Sequence, residues 1–345
     1  MSTGRNISGY PTTRPQRAAE GVDERTVACR RQNFYNCPVT ARRVAASNCL
    51  CVVLRILLHR SYFLGLLLLL SPIVDFARET PGVESPAFTT VPELSAGFDL
   101  LYEQRFAEAR DAFASWESRN PEEPFGEVAV AASYLFEELS RQGVLTSDFF
   151  LNEKKFLHGI DGSPDPERMS HFRDALARAR ELAGERQKTN PNDGEALLAL
   201  TLAAGMESDA ESILQKRHLA GLKQMKKANG YAKELLAQHP DATDAYIAPG
   251  IANYIIGSQS AGSRFVLRFD GIHGDKKLGM EQVARTAENG RYLRPFAKII
   301  LALAARREKQ NALAQRLFRE LSEQYPDSEL FASEYAKAMS VASGD

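Results

Sequence analysis

The sequence predicts an all-α fold, a stacked array of about five helix hairpins with a C-terminal capping helix, and three observations carry that prediction. A second-helix pattern occurs four times, an alanine twelve residues before a proline with Ala or Phe eight before it. The four sets are Ala109, Phe113, Pro121; Ala179, Ala183, Pro191; Ala228, Ala232, Pro240; and Ala314, Phe318, Pro326. Each proline is followed within two residues by Asp or Glu, which joins a helix stop to a helix start. The main body contains no cysteine, so packing rather than disulfides or zinc must hold it together.

Taken in order, residues 1–54 read as a leader outside the fold, either disordered or upstream sequence included by an early start codon. Residues 1–60 carry ten Arg against three acids, whereas the rest of the chain sums to about −8. All four cysteines, Cys29, Cys37, Cys49 and Cys51, fall in this stretch at spacings that match no zinc site. Residues 55–77 read as a signal peptide or an uncleaved signal anchor. There Arg55, His59 and Arg60 precede a 14-residue uncharged run from Ser61 to Val74. That run is shorter than the roughly 20 residues a spanning helix needs and matches a secretory apolar region. Residues 78–89 form a linker. With 44% hydrophobic and 25% charged residues, the chain has enough apolar material for a sizeable core beyond the linker.

From residue 90 the hairpins allocate as 90–121, 124–191, 193–240, 241–291 and 294–326, and the stretch from Ser328 to Met339 closes the end as a cap. Asn192, Asp241 and Asp327 are placed to cap the helices that come after the prolines.

The segment Val91 to Pro121 resembles a tetratricopeptide repeat, with Gly97, Ala109, Phe113 and Pro121 at that family's small, small, aromatic and terminal-proline positions. Tyr246 and Gly250 repeat the aromatic-to-glycine spacing. Glu93 and Trp116 depart from the family pattern, as does Asn253, which stands where the family has tyrosine. The resemblance covers most of residues 90–342 and is strongest at the two ends. It implies a right-handed superhelical array whose concave face, lined by first helices, holds an extended peptide. The matching positions here are Phe98, Leu101, Tyr102, Leu303, Arg306 and Arg307, the two arginines suited to a carboxylate.

Successive terminal prolines lie 70, 49 and 86 residues apart, where regular repeats would place them at multiples of roughly 34. The excess falls in the turns inside hairpins two, three and four. In a stacked array those turns share one edge and build a single patch. Phe149, Phe150, Phe156, Phe265 and Phe269 stand there beside Lys154, Lys155, Arg264 and Arg268, a mixture that fits a protein surface or anionic headgroups.

No nucleophile with its base, no paired carboxylates and no helical His-x-x-x-His spacing occurs in the body, so the sequence predicts no enzyme, no cofactor and no metal. An acidic body disfavours nucleic acid. The expected function is an exported scaffold, periplasmic or anchored to the inner membrane facing the periplasm, that binds a protein or peptide partner in the bacterial envelope. The alternative is a peripheral membrane module using the basic and aromatic insertions.

Overall fold

The computed structural model describes residues 88–260, 267 and 272–342, and these contain thirteen α-helices and no strand. The leader, the signal segment and the linker up to residue 87 lie outside the described residues. Pro81–Asp345 forms one compact unit, and all the buried apolar clusters lie inside it.

The first hairpin is α1 (Pro92–Tyr102) and α2 (Phe106–Glu117). The second is α3 (Pro124–Arg141) and α6 (Pro166–Thr189), with the short α4 (Ser147–Leu151) and α5 (Glu153–His158) between them. The third pairs α7 (Gly194–Asp209) with α8 (His218–Gln238) through a π-helical turn, Ala210–Leu214. The fourth opens with a 3₁₀ turn, Thr243–Tyr246, then α9 (Ile247–Gly257) and α10 (Lys276–Asn289). α11 (Arg294–Arg307) and α12 (Asn311–Gln324) make the fifth, and α13 (Glu329–Ala342) lies against α12. Each helix packs chiefly on its hairpin partner and on the next helix in the chain.

Local chemistry sets these boundaries. Proline opens α1, α3 and α6, where its missing N–H costs nothing. Asp165, Asp193 and Asp275 cap α6, α7 and α10 by accepting from amides two or three residues on. The cap of α7 is thus Asp193, not Asn192. Asp241 does not cap a helix either, because the chain enters a 3₁₀ turn at Thr243.

Three first helices end in the same way. The second residue after the helix takes a left-handed conformation, Gln104 (φ 63°), Gly143 (φ 68°) and Lys309 (φ 59°). The next amide then reaches back to the carbonyl of Leu100, Leu139 or Ala305. Only one of the three is glycine, so Lys309→Gly should remove a strain of about 1 kcal/mol. Its expected result is a rise in Tm of about 2–4 °C by calorimetry.

Packing follows the small residues. Phe113 is fully buried, and a Cβ on Gly97 would lie 2.3 Å from its ring, so the hairpin of α1 and α2 closes only around glycine. α9 and α10 meet backbone to backbone, since a Cβ on Gly279 would lie 2.6 Å from the Tyr254 nitrogen and 2.8 Å from the Gly250 carbonyl oxygen.

The C-terminal hairpin reaches back to α1. Tyr292, in the turn between α10 and α11, stacks on Phe98 at 5.2 Å and lies 5.1 Å from the Phe125 ring. Its carbonyl accepts from the Tyr102 hydroxyl at 3.0 Å, and its own hydroxyl accepts from the Val91 amide at 2.9 Å. The Tyr325 hydroxyl of the segment after α12 donates to Asp99 at 2.9 Å. Phe98 and Tyr102 of α1 are thus met by tyrosines from the segments that flank the last hairpin, Tyr292 before α11 and Tyr325 after α12.

Candidate functional site

The turn that carries Tyr292 is assembled by one buried carboxylate. Asp244, 3% exposed, accepts from three successive amides, Arg291 at 2.9 Å, Tyr292 at 3.0 Å and Leu293 at 3.3 Å. Burial pushes the Asp244 carboxyl upward, opposed by those amides and by Arg291. Gly290 admits it, because a Cβ there would meet Asp244 Oδ1 at 2.7 Å. Arg291 grips Glu195 of α7 with two hydrogen bonds, 2.7 and 3.0 Å, and lies over the Tyr292 ring at 4.7 Å. A cleft of about 400 Å³ opens beside this turn. Asp241, Arg294 and Gln324 border it, with Tyr102 and Tyr325 in its wall. The sequence shows Gly290 to Pro295 only as a junction between hairpins. Nothing in the local pattern marks it, because the partners come from α1, α3, α7 and the 3₁₀ turn.

A second cleft, of about 310 Å³, lies in the insertion between α3 and α6, bordered by Gln142, Asp148, Phe149, Lys154, Lys155 and His158. The insertion is a built shelf. At its base Glu138, wholly buried, accepts from Arg141 at 2.6 Å, Arg168 at 2.7 Å, Gln142 at 2.9 Å and the Asp165 amide at 3.2 Å. Burial alone would raise its carboxyl, but these donors outweigh it and hold the pKa down at about 2. Above, Phe149, Phe150 and Phe156 form a ring cluster with centroids 5.4 to 6.5 Å apart. From the far end of the array, Arg306 donates to the Ser147 hydroxyl at 2.8 Å, Arg307 to the Phe150 carbonyl at 3.3 Å, and Lys337 pairs with Asp148 at 2.7 Å. Lys337 holds the Asp148 carboxyl below its usual range.

The structure distributes the sequence-derived candidates unevenly. Phe98, Leu101, Tyr102 and Leu303 are core residues, all at or below 7% exposure. Arg306 and Arg307 grip the shelf rather than stand free in a groove. Phe149 is buried, Phe150 and Phe156 are half-buried, and all three pack on one another. Lys154 and Lys155 remain exposed at the rim. Arg264, Phe265, Arg268 and Phe269 lie outside the described residues. The insertions of hairpins two and three do meet, the Ile160 amide donating to the Ile213 carbonyl at 3.2 Å. Among the described residues no group of three or more His, Cys, Asp or Glu is placed to hold a metal ion, and no helix is long and apolar enough to cross a membrane. Compared with known proteins, the chain matches no family model and no curated protein.

Proposed function

We propose that the chain is an exported, non-catalytic scaffold of the tetratricopeptide type that binds an acidic segment of a protein or peptide partner in the bacterial envelope. Its contact surface is the shelf of the second hairpin. The observation that carries this reading is at the rim. Lys154 and Lys155 stand exposed beside a cleft and make no ion pair among the described residues, on a segment the hairpin does not need but which is pinned from below and from the far end. Ordering some two dozen extra residues opposes folding through lost chain entropy, and such ordered loops on a rigid scaffold are where binding residues concentrate. A polar rim around a partly apolar floor, here the phenylalanine cluster, is the usual anatomy of a protein interface. The right-handed superhelical arrangement, the family membership and the periplasmic location belong to this proposal and rest on the sequence resemblance and the apolar run at 61–74.

The test is affinity capture from envelope extract on immobilised Pro81–Asp345, with wild type and a Lys154→Glu/Lys155→Glu variant. A partner held by the wild type should bind the variant at least about ten-fold more weakly, because reversed rim charges meet like charge. Equal retention by both would sink the shelf as the contact surface.

A further inference from the structure

α8 carries a charge pattern that its packing does not require. From Lys216 to Lys233 the chain holds Lys216, Arg217, Lys223, Lys226, Lys227 and Lys233 without one carboxylate, and the first acid of the helix is Glu234. This occurs in a body whose charge beyond Arg60 sums to about −8. The inward face uses Gly221, Ala228, Ala232 and Leu235, all buried. Arg217 is engaged with Glu211 at 2.7 Å. Lys216, Lys223 and Lys227 are exposed. Among them stands Leu219, 86% exposed, against 41% and 43% for Leu278 and Met339, the other two exposed large apolar side chains among the described residues. Positions 219, 223 and 227 recur every four residues, so they share one stripe along the helix.

We propose that this face of α8 docks on an anionic lipid surface, with Leu219 entering the headgroup layer and Lys216, Lys223 and Lys227 meeting the lipid anions. Charge complementarity selects the occupant. Lysine ammonium groups are point charges suited to a diffuse anionic plane, whereas bidentate recognition of one carboxylate or phosphate favours arginine. Protein interfaces are depleted in lysine and centre on an apolar patch, and this face has one isolated leucine in a lysine field. Nucleic acid would call for exposed Phe, Tyr or Trp rings to stack on bases, and the exposed residues of α8 include none of these, His218 being their one ring. The lysines draw an anionic surface close, and Leu219, one turn before Lys223 on the same stripe, adds apolar area that enters it.

The experiment is flotation of Pro81–Asp345 with phosphatidylcholine vesicles and with vesicles containing about 30% phosphatidylserine, at low and high salt. Wild type should float with the anionic vesicles at low salt and be released at high salt. Lys223→Gln/Lys227→Gln should weaken partitioning about twenty-five-fold, about five-fold for each lysine. Leu219→Ser should weaken it about ten-fold. All these positions are on the surface, and circular dichroism of each variant should match wild type. Lys154→Glu/Lys155→Glu should float as wild type does, which separates this inference from the shelf. The inference is overturned if flotation does not depend on phosphatidylserine, or if the α8 variants float like wild type. It is overturned equally if loss follows the shelf variant instead, or if a polyglutamate peptide binds α8 while vesicles do not.

Discussion

Asp244→Ala should destabilise the body by about 3–5 kcal/mol, measured by urea unfolding at neutral pH. Asp244 is 3% exposed, and its two oxygens are the acceptors of three consecutive amides in the turn from Gly290 to Leu293. Removing it leaves one buried and two half-buried donors without partners, the buried one alone costing about 1–3 kcal/mol unless the turn relaxes. Relaxation is itself expensive here, because the same turn holds Tyr292 against Phe98 and Arg291 against Glu195. The control is Asp241→Ala, an exposed site three residues earlier, expected to change stability by no more than about 0.5 kcal/mol. If the two variants unfold at the same urea concentration, the turn is not held by Asp244.

Glu138→Gln tests the shelf through pH. The folded-state pKa of Glu138, held at about 2, lies below an unfolded value of roughly 4.3. A depressed folded pKa contributes stability that is fully present above the unfolded value and is lost as pH falls through the folded one. That difference is worth about 3 kcal/mol at neutral pH. Wild type should therefore be more stable than Glu138→Gln by about that amount at neutral pH, and the gap should close as the pH falls from roughly 4.3 toward the folded value. A gap that persists unchanged in acid would show that shape, and not charge, fastens the shelf. The amide keeps one acceptor oxygen, which at the Oε1 position still serves the Asp165 amide and Gln142, so the variant should still fold and report on charge.

Much of the helical frame was legible because each signal is local. The alanine, aromatic and proline spacings mark second helices, and Gly97 beside Phe113 shows why the small residue is required. The glycine at 250 was legible for the same reason, and its partner across the crossing is Gly279. The lengthened turn of hairpin three was seen only as extra residues, and the structure spends five of them on a π-helical turn. Asp244 lay inside the span 241–291 of the fourth hairpin, whereas the fold gives it amides 47 to 49 residues away. The inner-face residues Phe98, Tyr102 and Leu303 fit a peptide groove when read along single helices. Their burial comes from side chains about 200 residues distant, such as Tyr292 on Phe98, which no window of sequence contains. The basic face of α8 was written openly from Lys216 to Lys233, yet its exposure depended on which side of the helix met α7.

The contact of Tyr325 with Asp99 joins residues 226 positions apart, and Val91 with Tyr292 joins residues 201 apart. Open repeat stacks fold by nearest-neighbour propagation, fray from their ends and tolerate loss of a terminal unit. Here the two ends touch each other, so trimming from Tyr325 onward should loosen α1 as well as the neighbouring helices. Loop-closure entropy must be met before those contacts form, which raises the contact order of an otherwise local helical fold and slows its folding. The molecule should therefore unfold in one cooperative transition rather than hairpin by hairpin, with coincident urea curves by fluorescence and circular dichroism.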